Sequence, residues 1–262
     1  MWKERGMAEV FTIEKIKRYG KKSEYTYIRG AFPTFEALQC SPENMEAVIV
    51  GTELKADILK KLHAFCESGR ILFLKDDRLL DRVREKEKCL VVGVLRKYED
   101  ALEQKQDHLV LVNPMDMGNL GTILRTCAGF GIKNLAVIEP AADLFHPKVI
   151  RASMGAIFRV HAVRYPSFEA YLQQNGRDRM FYTFMLQGTT KLPELYTNGE
   201  IPCSLIFGNE AAGLDDGYIN CGQSVVIPHN GTIDSLNLSM AVGIALYEFT
   251  KKAPPGSRVY GQ

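Results

Sequence analysis

Three stretches of this 262-residue chain end an apolar run in polar residues set among glycines, and such a pattern lets main chain and a ligand approach closely. In the first, Asn113 to Arg125 (NPMDMGNLGTILR), a run ends in Asn-Pro, and Gly118 and Gly121 flank Asn119 before a helix continues. Asn119 and Arg125 stand six positions apart, which on a helix leaves them within about 120° of each other. A helix N-terminus beside glycines suits a phosphate; a glycine-rich turn followed by a solvated arginine fits the same residues. The second stretch, Leu205 to Leu214 (LIFGNEAAGL), runs from an apolar strand into small residues at 208, 211, 212 and 213. Glu210 at the strand tip suits a hydroxyl or amino group, or is a plain turn carboxylate. The third, Ile227 to Glu248 (IPHNGTIDSLNLSMAVGIALYE), carries Asp234, Ser235 and Asn237 ahead of an apolar helix. Asp234 or Ser235 is expected to cap that helix. Asn237, one position inside it, needs a different partner, supplied by a ligand or a loop.

Such residues act together only if rigid elements bring them together, and the hydrophobic pattern supplies those elements. From Phe11 to Tyr98 short β-branched runs (YTYIRG, MEAVIVG, RILFLKD, CLVVGVLRKY) alternate with helical stretches, among them Leu54 to Phe65 and Arg78 to Arg84, which reads as a small α/β domain. The polar segment EDALEQKQD, residues 99–107, is expected to be a linker. A second alternation follows: strand HLVLVNP, a helix from Asn119 to Phe130, strand NLAVIEP, a helix opened by Pro147, strand VHAVRYP, a helix capped by Ser167, strands MFYTFML, CSLIFG and SVVIP, and a final helix from Leu236 to about Lys251. Continuous apolar strands between helices predict an α/β architecture with a mainly parallel sheet covered on both faces. Ligand sites in such sheets form beyond the C-terminal ends of the strands, where the three polar stretches lie. The final helix is apolar around most of its circumference, so it is expected to pack on the sheet or on another subunit. The expected boundaries are residues 1–98, 99–107 and 108–252, with 253–262 a loose tail.

Composition narrows the class. Hydrophobic residues make up 46% of the chain and charged residues 24%, values that support a packed core and exclude a disordered chain. No apolar run reaches the roughly 18 to 20 residues that span a bilayer, and the first ten residues lack the apolar core of a signal peptide; a cytoplasmic protein is expected. Six cysteines lie far apart with no C-x-x-C, as buried free thiols do, and no metal-ligand spacing is present. The net charge of +2 names no partner. A local cluster, Lys15, Lys17, Arg18, Lys21, Lys22 and Arg29, suits RNA phosphates or a solvated face equally. Phosphate-loop, nucleophile-elbow and zinc-protease motifs are missing, and Gly129-Phe130-Gly131 lacks the third glycine of a dinucleotide fingerprint.

Taken in order, the three stretches and the intervening KVIRASMGAIFRV (148–160) closely resemble the motifs of the SpoU (TrmH-like) branch of the SPOUT methyltransferases, over about His108 to Glu248. The N-terminal segment resembles the ribosomal-protein L30e-like domain that several members carry as an RNA-binding module. The resemblance implies S-adenosylmethionine as cofactor, a C-terminal deep trefoil knot, a homodimer, and methyl transfer to a ribose 2′-hydroxyl of structured RNA, rRNA more than tRNA. It implies Arg125 as the catalytic arginine, with Asn119, Glu210, Ser235 and Asn237 placing substrate, cofactor and arginine. Main-chain groups at Gly208, Ile227 and Leu236 would hold the cofactor beside the turn Leu186-Gln187-Gly188. Because an arginine stays protonated in proteins, Arg125 is expected to fork onto the 3′-phosphate and stabilise developing alkoxide rather than act as a base. His229 departs from the hydrophobic residue that many members carry after the proline; it is a loop residue or a proton carrier. An idle RNA-binding or assembly factor and a base methyltransferase are the rival readings.

Overall fold

Alternating apolar runs in the first part of the chain pair into four strands, β1 (Tyr25–Arg29), β2 (Met45–Val50), β3 (Leu72–Lys75) and β4 (Val91–Arg96), in the order β1-β4-β2-β3. The structure is a computed structural model that describes residues 11–85, 88–195 and 201–251; the expected tail, 253–262, lies outside them. The chain divides into two compact units, Met1–Lys97 and Tyr98–Gln262.

In the first unit β2 and β3 run parallel, while β4 lies antiparallel between β1 and β2. Helices α1 (Ala31–Cys40), α2 (Ala56–Gly69) and α3 (Asp77–Val83) connect the strands. Asp76 caps α3 by accepting from the amides of Arg78 (2.8 Å) and Leu79 (3.0 Å). Tyr27, Ala47, Ile49, Leu80, Val92 and Val94 form part of one buried cluster. The basic cluster is divided by this fold. Lys15 turns back over the Tyr25 ring, and Arg29 donates to the Val83 carbonyl (3.1 Å) and pairs with Glu85 (2.9 Å). Lys17, Arg18, Lys21 and Lys22 are exposed. Arg29 and Lys15 are thus committed to the fold, because local hydrogen-bond and aromatic partners lie within their reach.

The second unit is built on seven strands: β5 (His108–Val112), β6 (Asn134–Ile138), β7 (His161–Tyr165), β8 (Met180–Phe184), the short β9 (Thr190–Lys191), β10 (Cys203–Phe207) and β11 (Gln223–Val226). Their order is β7-β6-β5-β10-β8-β11-β9, and each of these pairings is parallel. Helices α4 (Met117–Gly129), α5 (Pro147–Ala152), α6 (Phe168–Asn175) and α7 (Leu238–Lys251) complete it. Ser167 caps α6 through the Ala170 amide (3.2 Å). Gly121 brings α4 onto α5: a side-chain carbon there would lie 2.4 Å from Ala152 Cβ. Leu238, Val242, Ala245, Leu246 and Phe249 of α7 are buried, and Met240, Ile244 and Tyr247 are exposed.

Segment 99–107, expected to be a linker, is fastened to the second unit instead. Asp100 meets the His161 ring (3.0 Å), the Glu103 amide donates to Asn134 Oδ1 (2.8 Å), and Asp107 accepts from the Cys203 amide (3.0 Å). Polar composition concealed this attachment, since its partners come from distant strands. Behind it lies a buried polar chain. Arg179 donates to the Gln104 carbonyl (2.7 Å) and to Ser204 Oγ (3.0 Å), Ser204 donates to Tyr171 Oη (2.7 Å), and Tyr171 donates to His108 Nδ1 (3.0 Å). His108 Nε2 donates to the Glu103 carbonyl (3.0 Å), a bond that by itself favours the charged ring, yet the ring is fully buried. Burial first, and the Arg179 cation second, push its pKa down to about 4.

All six cysteines are free thiols, and burial raises Cys66 to about 11 and Cys127 to about 12. Among the described residues no helix is long and apolar enough to cross a membrane.

Candidate functional site

Parallel pairing sends the loops after β5, β8, β10 and β11 out of one edge of the sheet, and the chain order reverses between β5 and β10. A crevice opens at such a switch point because the connections on either side depart in opposite directions. On the β8 and β11 side of β10, at this same edge, lies a cavity of about 280 Å³ lined by the ends of β8, β10 and β11, the loops that follow them, and the start of α7. Gly208, Ile227 and Leu236 line it, together with Leu186, Gln187, Glu210, Ser235 and His229. Phe184 and Phe207 stack beneath it at 4.2 Å between ring centroids.

Two glycines permit the geometry of these loops. A side-chain carbon on Gly208 would stand 2.0 Å from the Gly213 carbonyl carbon, and one on Gly188 would stand 2.4 Å from that of Val225. Both distances are far inside van der Waals contact, so another residue at either place must displace main chain. Gly188 therefore shapes the turn after β8 without lining the cavity. That turn is held from both sides: the Met185 amide donates to the Val225 carbonyl (2.9 Å), and Gln187 donates to Asp216 (3.0 Å).

Glu210 is not a free turn carboxylate. Its two oxygens accept from the amides of Met115 (3.1 Å) and Asp116 (3.0 Å), while Asn209 (3.3 Å) and Asn119 (3.5 Å) also donate to it. Asp116 caps α4 through the Asn119 amide (2.7 Å). The N-terminus of α4, which the sequence offered to a phosphate, is thus already occupied by two carboxylates of the chain itself.

Asn237 is a second correction. It stands just before Leu238, the first residue of α7, and its Oδ1 accepts from the Ser239 amide (2.9 Å), so it takes the capping role expected of Asp234 or Ser235. Its Nδ2 donates to Asn119 Oδ1 (3.1 Å). A hydrogen-bonded chain consequently joins α7 to α4 to the β10 loop through Asn237, Asn119 and Glu210, 118 and 91 positions apart in sequence.

Arg125 is exposed on α4, outside the cavity lining, and makes no hydrogen bond or ion pair among the described residues. Asn209 is a site residue that the sequence pattern does not single out. Its Nδ2 donates to the Asn113 carbonyl (2.7 Å) and its Oδ1 accepts from the amides of Ala211 (2.9 Å) and Ala212 (3.1 Å). Asn113 holds a left-handed φ of 52°. A strand-end Asn between two glycine-flanked turns was the only available signal. Among the described residues no group of three or more His, Cys, Asp or Glu side chains is placed to hold a metal ion.

A model of the SpoU rRNA Methylase family matches residues 106–247. Over 179 residues the chain is 32% identical to the 23S rRNA (uridine(2479)-2′-O)-methyltransferase of Streptomyces viridochromogenes, covering 63% of this chain and 61% of that relative. Over 235 residues it is 26% identical to the 23S rRNA (guanosine(2553)-2′-O)-methyltransferase of Bacillus subtilis, covering 88% and 90%. The fold is also that of the SpoU methyltransferase AviRb from Streptomyces viridochromogenes, solved in complex with the cofactor AdoMet, with a TM-score of 0.75 at 23% identity over 88% of this chain and 91% of that one.

Proposed function

The chain belongs to the SpoU rRNA methylase family, and from that membership we propose that it is an enzyme transferring a methyl group from S-adenosylmethionine to a ribose 2′-hydroxyl of RNA, rRNA more than tRNA, in the cytoplasm. The observation that carries this reading is the cavity at the C-terminal edge of the sheet, assembled from the loops that hold the second and third of the three motif stretches and from the turn after β8. Its apolar floor of Phe184, Leu186, Phe207 and Leu236 suits a purine ring, and its few polar groups suit the tail of a nucleoside-derived sulfonium. When bound, S-adenosylmethionine supplies an activated methyl group whose departure discharges a positive sulfur, so metal or acid assistance to the leaving group is unnecessary.

The chain's own residues then bind, orient and stabilise. Main-chain groups of Gly208, Ile227 and Leu236 hold the cofactor against the turn Leu186-Gln187-Gly188. Glu210, Asn119 and Asn237 lock the three loops in register, so that the 2′-oxygen and the methyl carbon align. Ser235, at the cavity wall, donates to the substrate. Arg125, exposed beyond the cavity, forks onto the RNA 3′-phosphate and stabilises charge developing on the 2′-oxygen. Close main-chain approaches at Gly188 and Gly208 and the placement of β10 and β11 on either side of the earlier β8 support a deep trefoil knot. The exposed apolar stripe Met240, Ile244 and Tyr247, at i, i+4 and i+7 of α7, supports a homodimer. The first unit is an L30e-like module that offers Lys17, Arg18, Lys21 and Lys22 to RNA phosphates.

Mapping of 2′-O-methylation across stable RNAs, with and without the gene, tests the function. One ribose site is expected to disappear. A lost base methyl group would support base methylation, and no change alongside absent S-adenosylmethionine binding would support an idle RNA-binding factor.

A further inference from the structure

Methyl transfer to a neutral 2′-hydroxyl must also dispose of a proton, and most groups around the cavity are unsuited to receive it. Glu210 already accepts from two amides and two side chains, so a further proton would break bonds that hold the loops. Arg125 belongs to a side-chain class that remains protonated. Asp234 lines the cavity, but carboxylates as a class are weak bases at neutral pH.

His229 is different. It is an exposed residue of the cavity lining, and its Nδ1 lies 3.1 Å from the Ile227 carbonyl. A carbonyl oxygen only accepts, so Nδ1 carries a proton, and in the neutral ring Nε2 keeps its lone pair. Nε2 has no hydrogen-bond partner among the described residues. The contact joins residues two apart on the same loop, so the tautomer is set locally and does not await a ligand.

The geometry points to His229 as the catalytic base of the methyl transfer, taking the ribose 2′-hydroxyl proton on Nε2. The assignment rests on the ribose reading above. The 2′-oxygen forms its bond to the methyl carbon as the carbon–sulfur bond breaks, with that bond's electron pair remaining on sulfur. The 2′-proton passes to Nε2, and the resulting imidazolium returns it to water.

His229→Gln keeps a side-chain amide able to bond the Ile227 carbonyl yet removes the basic nitrogen. In single-turnover assays at saturating S-adenosylmethionine, the wild-type rate is expected to fall along the acid limb of its pH profile. The variant is expected to run about 100-fold or more slower at neutral pH, to lack that acid limb, and to bind cofactor within about threefold of wild type by calorimetry. Nitrogen-15 NMR of the cofactor-free protein is expected to show the Nδ1-protonated tautomer at His229. A variant that methylates within threefold of wild type with the same acid limb overturns the assignment, as does an Nε2-protonated ring. Loss of the acid limb in Asp234→Asn, with its retention in His229→Gln, transfers the role to Asp234 and overturns it too. A wild-type protein that methylates no ribose overturns the function itself, so the two failures are told apart.

Discussion

Arg125 carries charge, five donors and no competing partner among the described residues, which leaves its planar fork available to a phosphate and a developing alkoxide together. Lysine supplies the charge without the fork. Arg125→Ala and Arg125→Lys are therefore both expected to reduce single-turnover methylation by about 100 to 1000-fold while calorimetry shows unchanged cofactor affinity. An Arg125→Lys enzyme within threefold of wild type would show that charge alone suffices. Gly208 makes the opposite kind of contribution. With 2.0 Å between its absent Cβ and the Gly213 carbonyl carbon, Gly208→Ala must push the β10 loop away from its own return. Calorimetry on that variant is expected to show lost S-adenosylmethionine binding, with circular dichroism retaining the α/β signal.

Between elements, polar chains couple segments that apolar packing alone would leave free to slide. Glu210→Ala leaves two amides and two side-chain donors without their acceptor, an expected loss of about 1 to 3 kcal/mol in chemical denaturation. Glu210→Gln, which keeps one acceptor oxygen, should recover part of it. His108 gives a pH-dependent counterpart at the opposite end of β5. Its folded pKa of about 4 lies below the ordinary 6.5. Above pH 6.5 the ring is neutral in both the folded and unfolded chain; as pH falls from 6.5 toward 4 only the unfolded chain takes up the proton, so stability declines across that window. The decline approaches roughly 3 kcal/mol, from about 1.4 kcal/mol per pKa unit. Denaturation midpoints should fall less between pH 7 and pH 4.5 in His108→Gln than in wild type, and parallel slopes in the two proteins would contradict the linkage.

At the level of the whole molecule, the chain divides at Lys97, and residues 98–107 belong to the second unit through their bonds to Asn134, His161 and Cys203. Removal of residues 1–97 is therefore expected to preserve S-adenosylmethionine binding while weakening RNA binding and flattening its salt dependence. Equal salt slopes in the two proteins would relocate the phosphate contacts to the second unit. The stripe Met240, Ile244 and Tyr247 is exposed on α7, so Ile244→Glu should convert a dimer to a monomer in light scattering. Leu238, the first residue of α7, is buried and lies outside this stripe.

The sequence by itself determined the kind of elements and most of their places, because strand and helix periodicities are local: Ser167 caps α6, and the apolar runs at 108, 134, 161, 180, 203 and 223 begin strands. It also carried the family, since the glycine-flanked motifs lie in contiguous stretches. Tertiary structure alone decided the partners. Periodicity cannot show that β10 enters between β5 and β8, that Lys15 and Arg29 turn inward, or that the hydrogen-bond partners of segment 99–107 stand on β6, β7 and β10. Nor could it show that Glu210 occupies the start of α4, or that Asn237 both caps α7 and reaches Asn119. A side-chain amide or carboxylate has the same identity whether it caps, bridges or waits for a ligand; the groups folding brings within about 3 Å of it decide which.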